Sequence, residues 1–391
     1  MSGRRGFDGV ALAAPVSFGY TRFSERPAAW FIGRALAEAC DAAGIAKDRI
    51  DGLAMTSLTL APDTAVGLTE HLGLAPRWLE NIPFGGASAV VGAMRAARAV
   101  QAGDAEIVAV IGGETNGPDT FAEIVANFSS FSKAAVWPHG APGPNGVYAL
   151  ITQAYMDAYG TERADFGRLA VEQRAHAQGY EQALIKKPLD LDGYLAARPI
   201  VPPVHLFDCV MPCAGAEAFL VMRADTAAAE GLPHARLSAG EERYNAFADD
   251  PIQLRGGWDL FVDDLYAAAG CGPRDVDALY TYDDYPVMCF VQMEGLGFCR
   301  PGETAAWFAG PRETAQGRRL LHNSSGGQLS AGQAGFAGGH LGFVEALRQV
   351  AGVATGRQHP VRRALVSGYG MVNYDRGLCA CAAMLERAGA A

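Results

Sequence analysis

A long-range self-echo constrains this chain more than any other feature. Residues 42–57 read AAGIAKDRIDGLAMTS, and residues 268–283 read AAGCGPRDVDALYTYD. Each has Ala-Ala-Gly, a short polar turn, an acidic residue beside a β-branched one, and then an apolar run. An amphipathic stretch precedes each, FIGRALAEACDAAG in one copy and WDLFVDDLYAAAG in the other. Gly44 and Gly270 stand where a helix would stop, since glycine accepts the left-handed conformation that closes a helix. The echo continues downstream. Residues 92–114 (GAMRAARAVQAGDAEIVAVIGGE) and 342–370 (GFVEALRQVAGVATGRQHPVRRALVSGYG) both run helix, glycine stop, strand. A repeat of this kind prescribes two copies of one strand-helix-strand-helix-strand unit. Apolar strands that alternate with helices predict a largely parallel sheet covered on both faces. The expected halves are residues 1–228 and 229–391. Residues 118–205 have no counterpart in the second copy and read as an inserted cap or loop region that covers a pocket.

The composition narrows the classes of partner. With 50% hydrophobic and 19% charged residues, the 391-residue chain can bury a large core. Its net charge of −10 opposes a nucleic-acid surface or an anionic membrane as main partner. No apolar run reaches about 18 residues, so membrane insertion is not expected. Met-Ser-Gly-Arg-Arg at the start is not followed by a signal-peptide core, and a cytoplasmic location is expected. Eight cysteines are present. The closely spaced ones, Cys209 with Cys213 and Cys379 with Cys381, sit in apolar runs without histidine at zinc-site spacing. They read as buried thiols, and no metal site is expected.

The stretch NIPFGGASAVVGAMRAARAV (residues 81–100) frames a strand-to-helix turn of the kind that presents a nucleophile, yet it holds no cysteine. Ser88 has no base beside it in sequence, and helix N-capping is the expected role. Three further segments share the frame: HNSSGGQLSAGQAGFAGGHLGFVEALRQVAG (322–352), LYTYDDYPVMCFVQMEGLGFC (279–299) and SGYGMV (367–372). Together with the two halves, they resemble the thiolase superfamily. The likeness is to Cys-less homologues of the sterol-carrier-protein and lipid-transfer-protein type. Asn323, Gly326, Gly327 and Gly332 match the late family motif. Gln333-Ala334 replaces its His-Pro pair, and Val366 stands where the last motif carries a second cysteine.

The resemblance implies an α/β thiolase fold, two duplicated βαβαβ halves in a layered α-β-α-β-α arrangement, and a homodimer. The missing cysteines and histidine argue against thiolysis. Some members of the Cys-less branch are aldol lyases, and the resemblance implies retro-aldol cleavage or formation on a 3-hydroxyacyl-CoA thioester. That chemistry is non-covalent, passes through an enolate, and needs no cofactor beyond the CoA of the substrate thioester. It also implies a small zinc-ribbon and OB-fold partner protein, with a hydratase in some members. Two alternatives stay open: an acyltransferase subunit of a carbon–carbon bond-forming complex, and a non-catalytic scaffold that binds acyl-CoA.

Retro-aldol cleavage needs a base for the β-hydroxyl, donors for the enolate oxygen and an acid for its carbon. Tyr369, between two glycines, and Tyr282 are the expected proton-transfer groups. A phenol of pKa about 10 needs a tuned environment for that work. His340, at a helix start after Gly338-Gly339, is expected to stay neutral and donate to an oxyanion. Asn323, Gln333, Gly86, Ser88 and Gly370 complete the expected substrate and oxyanion surface. Tyr280 and Tyr285 read as core or pocket lining, Asp283 and Asp284 as turn residues, and GETNG (113–117) as a strand-end turn.

Overall fold

The computed structural model describes residues 6–127, 129–140, 143–374 and 376–389, so the Met1–Arg5 segment lies outside the described residues. The first half lays down β1 (Val10–Thr21), β2 (Gly52–Thr56), β3 (Trp78–Asn81) and β4 (Ile107–Glu114). A small hairpin, β5 (Pro199–Val201) and β6 (Val204–His205), precedes β7 (Ala214–Arg223). The second half repeats the plan with β8 (His234–Tyr244), β9 (Ala278–Tyr280), β10 (Leu321–His322), β11 (Arg363–Asn373) and β12 (Arg376–Arg387). The strand order is β10-β9-β11-β12-β8-β1-β7-β4-β2-β3. Read outward from the β8–β1 junction, the two wings have the same order and the same directions. The duplication seen in sequence is therefore a duplication of topology.

The expectation of a largely parallel sheet is corrected. In each wing the outer pairings are parallel (β3–β2 and β2–β4; β10–β9 and β9–β11) and the inner ones antiparallel (β4–β7 and β7–β1; β11–β12 and β12–β8). A short connection accounts for one of these pairs, β12 returning beside β11 with Asn373 paired to Arg376, but β4 and β7 pair antiparallel across the whole insertion, so the shared pattern is one of long-range pairing.

Helix ends obey the sequence signals. Gly44, Gly103, Gly270 and Gly352 all close helices in the left-handed conformation. The helices Ser88–Ala102 and Gly338–Ala351 pack on each other between the two wings of the sheet. The first is Ala-rich, which lets both sheet faces approach it closely, and the second stacks Phe343 on Phe219 of β7 at 4.7 Å between ring centroids. The helix Ala28–Ala43 covers the outer face of the first wing, and Val262–Ala269 helps cover that of the second. Five layers result.

The 118–205 insertion emerges from the first half but packs on the second. Its helices Pro144–Tyr159 and Arg163–Ala177 lie against the helix Pro286–Gly295. Phe166 meets Phe290 at 5.0 Å, and Tyr155 donates a hydrogen bond to the Glu294 carboxylate. Each fully buried aromatic such as Phe290 contributes roughly 2 kcal/mol of apolar transfer. This docking brings the start of the Pro144–Tyr159 helix to the mouth of β11.

Candidate active site

The turn after β3 is a 3-10 segment, Gly85–Ala87, that leads into the central helix at Ser88. Gly85 has φ +57°. Gly86 has no room for a side chain: a Cβ there would stand 2.3 Å from the Tyr369 carbonyl oxygen and 2.5 Å from two ring carbons of Tyr282. Ser88 is 1% exposed, donates to the Ile82 carbonyl at 2.9 Å and accepts from the Phe84 N–H at 3.1 Å. Its hydroxyl thus ties the turn to itself. Ser88 is neither an N-cap nor part of the substrate surface, which corrects both expectations.

Beside this turn lies a cavity of about 300 Å³. Its polar end is formed by Tyr148, Tyr282, Asp284, Gln333 and Tyr369, with Gly86 and Gly370 at the wall. Phe121, Ile124, Ile200, Leu206 and Val210 make its apolar side. The structure therefore brings Tyr282, Tyr369, Gln333, Gly86 and Gly370 together, as the sequence predicts.

Tyr282 is held at both ends. Gln292 accepts from its backbone N–H at 3.0 Å and donates to its carbonyl at 2.8 Å. The Gln333 amide donates to its phenol oxygen at 3.0 Å, which leaves the phenol proton to point elsewhere. Burial, with the Asp284 charge second, holds this phenol well above the ordinary tyrosine pKa. Tyr369 is 1% exposed and lines the cavity from within the core. Its hydroxyl donates at 2.8 Å to Gln253, which also accepts from the Gly377 N–H at 2.9 Å. The neighbouring glycines serve close packing. A Cβ at Gly368 would sit 2.8 Å from the Ala87 Cα, and one at Gly370 2.1 Å from the Phe84 carbonyl oxygen.

Two expected site residues lie off the cavity. His340 is 1% exposed and packs against β4, its Nδ1 only 2.8 Å from where a Cβ at Gly112 would be. Burial lowers its pKa to about 3, so it is neutral as expected, but it does not meet the tyrosines. Asn323, with φ +40°, clamps the end of β9: its amide accepts from the Thr281 N–H and donates to the Thr281 carbonyl, both at 3.1 Å. It orients the chain one residue before Tyr282, and this pairing spends its amide oxygen and one of its two N–H donors on the backbone. Tyr280 is core, its hydroxyl paired with Ser324 at 2.8 Å.

Several lining residues escaped the sequence reading. Glu114, taken for a turn residue, is buried and saturated: Leu58, Thr59 and Phe336 N–H groups and the Ser57 and Thr59 hydroxyls all donate to it. Asp283 caps the short helix Gly327–Ala331, accepting from the Gln328 and Leu329 N–H groups at 3.0 and 3.2 Å. Asp284 is 8% exposed and lines the cavity; burial raises its carboxyl to about 8. The doubled acid of YDDY was the one local signal for it. Tyr148, from the insertion, stacks on Tyr285 at 4.0 Å between centroids, and no pattern in its own segment announces it. Cys209 and Cys213 also line the cavity, Cys213 buried as expected and Cys209 partly exposed. Burial pushes the Cys209 thiol up to about 12 and raises Cys213 as well, so neither is a ready thiolate. Among the described residues no group of three His, Cys, Asp or Glu could hold a metal ion, and no helix is long and apolar enough to cross a membrane.

Comparison with known proteins agrees with this geometry. A model of the thiolase C-terminal domain-like family matches residues 262–379. The steroid side-chain-cleaving aldolase of Thermomonospora curvata is 30% identical over 383 residues, spanning 91% of this chain and 94% of that one. The 17-hydroxy-3-oxo-4-pregnene-20-carboxyl-CoA lyase of Mycobacterium tuberculosis is 29% identical over 378 residues, spanning 91% and 95%. The solved Ltp2-ChsH2(DUF35) aldolase superposes with a TM-score of 0.80 at 27% identity, covering 98% of both chains. An acetyl-CoA acetyltransferase structure from Syntrophomonas wolfei shares the fold, with a TM-score of 0.70 at 14% identity. With its duplicated wings, its nucleophile-free turn and near full-length likeness to these lyases, the chain belongs to the thiolase superfamily, in its aldolase branch.

Proposed function

We propose that the protein cleaves the bond between Cα and Cβ of a 3-hydroxyacyl-CoA thioester whose acyl group is bulky and apolar, of the steroid side-chain class. The observation that carries this reading is the tyrosine-lined cavity beside a Gly85–Gly86 turn that holds no cysteine and packs directly against Tyr282 and Tyr369. The two cavity thiols are held protonated, and the Ser88 hydroxyl is spent on the turn.

The phenol of Tyr282, fixed by the Gln333 amide, is free to donate. It supports the thioester oxygen as negative charge develops there in the enolate. Tyr369, held by Gln253, stands across the polar end as the second phenol. The apolar side of the cavity matches a hydrocarbon skeleton. The DUF35 subunit of the similar solved aldolase supports a partner of that kind for this chain. β3 ends the sheet with one unpaired edge, which supports pairing with a second copy. The reaction that supplies this substrate is hydration of an unsaturated acyl thioester.

The test is a mass-spectrometric assay of the purified protein with its co-expressed partner on a panel of 3-hydroxyacyl-CoA thioesters. Release of a shortened acyl-CoA plus a ketone or aldehyde, with the protein mass unchanged, is the expected result. An acyl adduct on the protein would overturn the non-covalent mechanism.

A further inference from the structure

We propose that Asp284 is the catalytic base of the cavity, taking the β-hydroxyl proton of the substrate, with the Tyr148 phenol as the group that positions it. This rests on the aldolase reading above and names the base that reading lacks.

The argument is one of acceptor capacity. Among the described residues two carboxylates line the cavity, Glu114 and Asp284. Glu114 receives donors on both oxygens, Leu58 and Phe336 on Oε1, and Thr59 with Ser57 on Oε2. It is a strut between the Ser57–Leu60 loop and the Gly335–Ala337 turn. Asp284 differs. The N–H of Tyr285 donates to its Oδ1 at 3.0 Å, its own backbone N–H and the Tyr148 phenol also face it, and no side chain from another segment fills it as the Ser57–Thr59 loop fills Glu114. That phenol is buried and meets no partner at full hydrogen-bond geometry, yet it faces both the Asp284 carboxyl and the Tyr369 hydroxyl. A carboxylate with spare lone pairs, opening into the cavity beside two phenols, is what proton removal requires. The phenols themselves do not suit the task. Tyr282, Tyr148 and Tyr285 are all held neutral by burial, and the Tyr285 proton goes to Asn145.

The step balances within the site. The Asp284 carboxylate accepts the β-hydroxyl proton, and the O–H electron pair becomes the new carbonyl bond of the ketone or aldehyde. The Cα–Cβ pair passes to the thioester as an enolate. The neutral carboxyl then returns the proton to the α-carbon, and no co-reactant is consumed. The titratable groups facing Asp284 are Tyr148 from the insertion helix, Cys289 from the helix Pro286–Gly295, and Tyr282, Asp283 and Tyr285 from its own segment. Burial and then the Asp283 charge disfavour the carboxylate, the Tyr148 phenol and backbone N–H groups favour it, and Asp284 is pushed up to about 8. A base with a pKa near the working pH removes and returns a proton with little bias.

The experiment uses the protein with its co-expressed partner and the thioester that the wild type cleaves. Asp284→Asn keeps the shape, and is expected to lower kcat by at least about 100-fold while acyl-CoA binding and Tm stay close to wild type. The wild-type rate is expected to rise with pH through an inflection near 8. Tyr148→Phe removes a group that favours the carboxylate, so it should move that inflection upward and still permit turnover. Asp284→Asn activity within threefold of wild type, or an inflection that Tyr148→Phe leaves in place, would overturn the assignment alone. Absence of cleavage by the wild type would overturn the aldolase reading itself.

Discussion

Gly86→Ala tests the geometry of the site most directly. The added methyl would meet the Tyr369 carbonyl oxygen at 2.3 Å and the Cδ2 and Cε2 atoms of Tyr282 at 2.5 Å. Carbon atoms pack at about 3.5 Å or more, so the Tyr282 ring must retreat by about 1 Å or the β11 backbone must yield. Overpacking of this kind costs about 1–3 kcal/mol of stability, a fall of a few degrees in Tm. The loss of function should be larger, because a displacement of about 1 Å at a proton-donating group costs on the order of 10²-fold in rate. Gly103→Ala supplies the control. Gly103 has φ +80° with nothing within 4 Å of its missing Cβ, so the variant is strained at the far end of the same helix. That strain costs roughly 1–2 kcal/mol without touching the cavity. The assay is kcat/KM for thioester cleavage beside calorimetric Tm for both variants. If Gly86→Ala loses no more activity than Gly103→Ala at equal destabilisation, the close approach of turn and tyrosines is not what organises the site.

Other perturbations separate the remaining roles. Tyr282→Phe should lower kcat by about 10²–10⁴-fold and leave the Gln333 amide without its partner, at about 1 kcal/mol of stability. Ser88→Ala should cost about 1 kcal/mol, because the hydroxyl's bonds are lost while the Phe84 N–H and Ile82 carbonyl keep each other as partners at 3.0 Å. Intact mass under turnover should show no adduct before or after that change. Iodoacetamide should label Cys209 far more slowly than a free thiol at pH 8, since burial pushes the group up to about 12; fast labelling there would contradict the buried setting. His340 gives a pH signature. Its folded pKa of about 3 lies below the unfolded value of about 6.5, so its contribution is whole above pH about 6.5 and fades as pH falls toward 3. The slope in that window is about 1.4 kcal/mol per pH unit. Urea midpoints at pH 7 and pH 5 should therefore converge in His340→Gln relative to wild type, whereas an unchanged difference would mean that His340 is not titrating there.

The sequence by itself determined the duplication, the glycine helix stops and the central helices. These are local: apolar spacing sets an element and its face, and a glycine that must adopt positive φ sets its end. It also determined that the turn at Gly85–Ser88 has no nucleophile, and it located Tyr282, Tyr369 and Gln333 in segments that converge. Tertiary structure decided the rest. The antiparallel inner strands follow from pairings between segments far apart in the chain, which the apolar runs do not encode. Ser88, Asn323 and His340 are chemically able to serve a substrate, but each is committed elsewhere or walled off, and only packing reveals where a hydrogen bond goes. Tyr148 reaches the cavity because the insertion docks on the opposite half, and Asp284 stands out only once Glu114 is seen to be saturated. A residue's type limits what chemistry it can do; which residues face one cavity, and with how many unpaired lone pairs, depends on contacts between segments far apart in the chain.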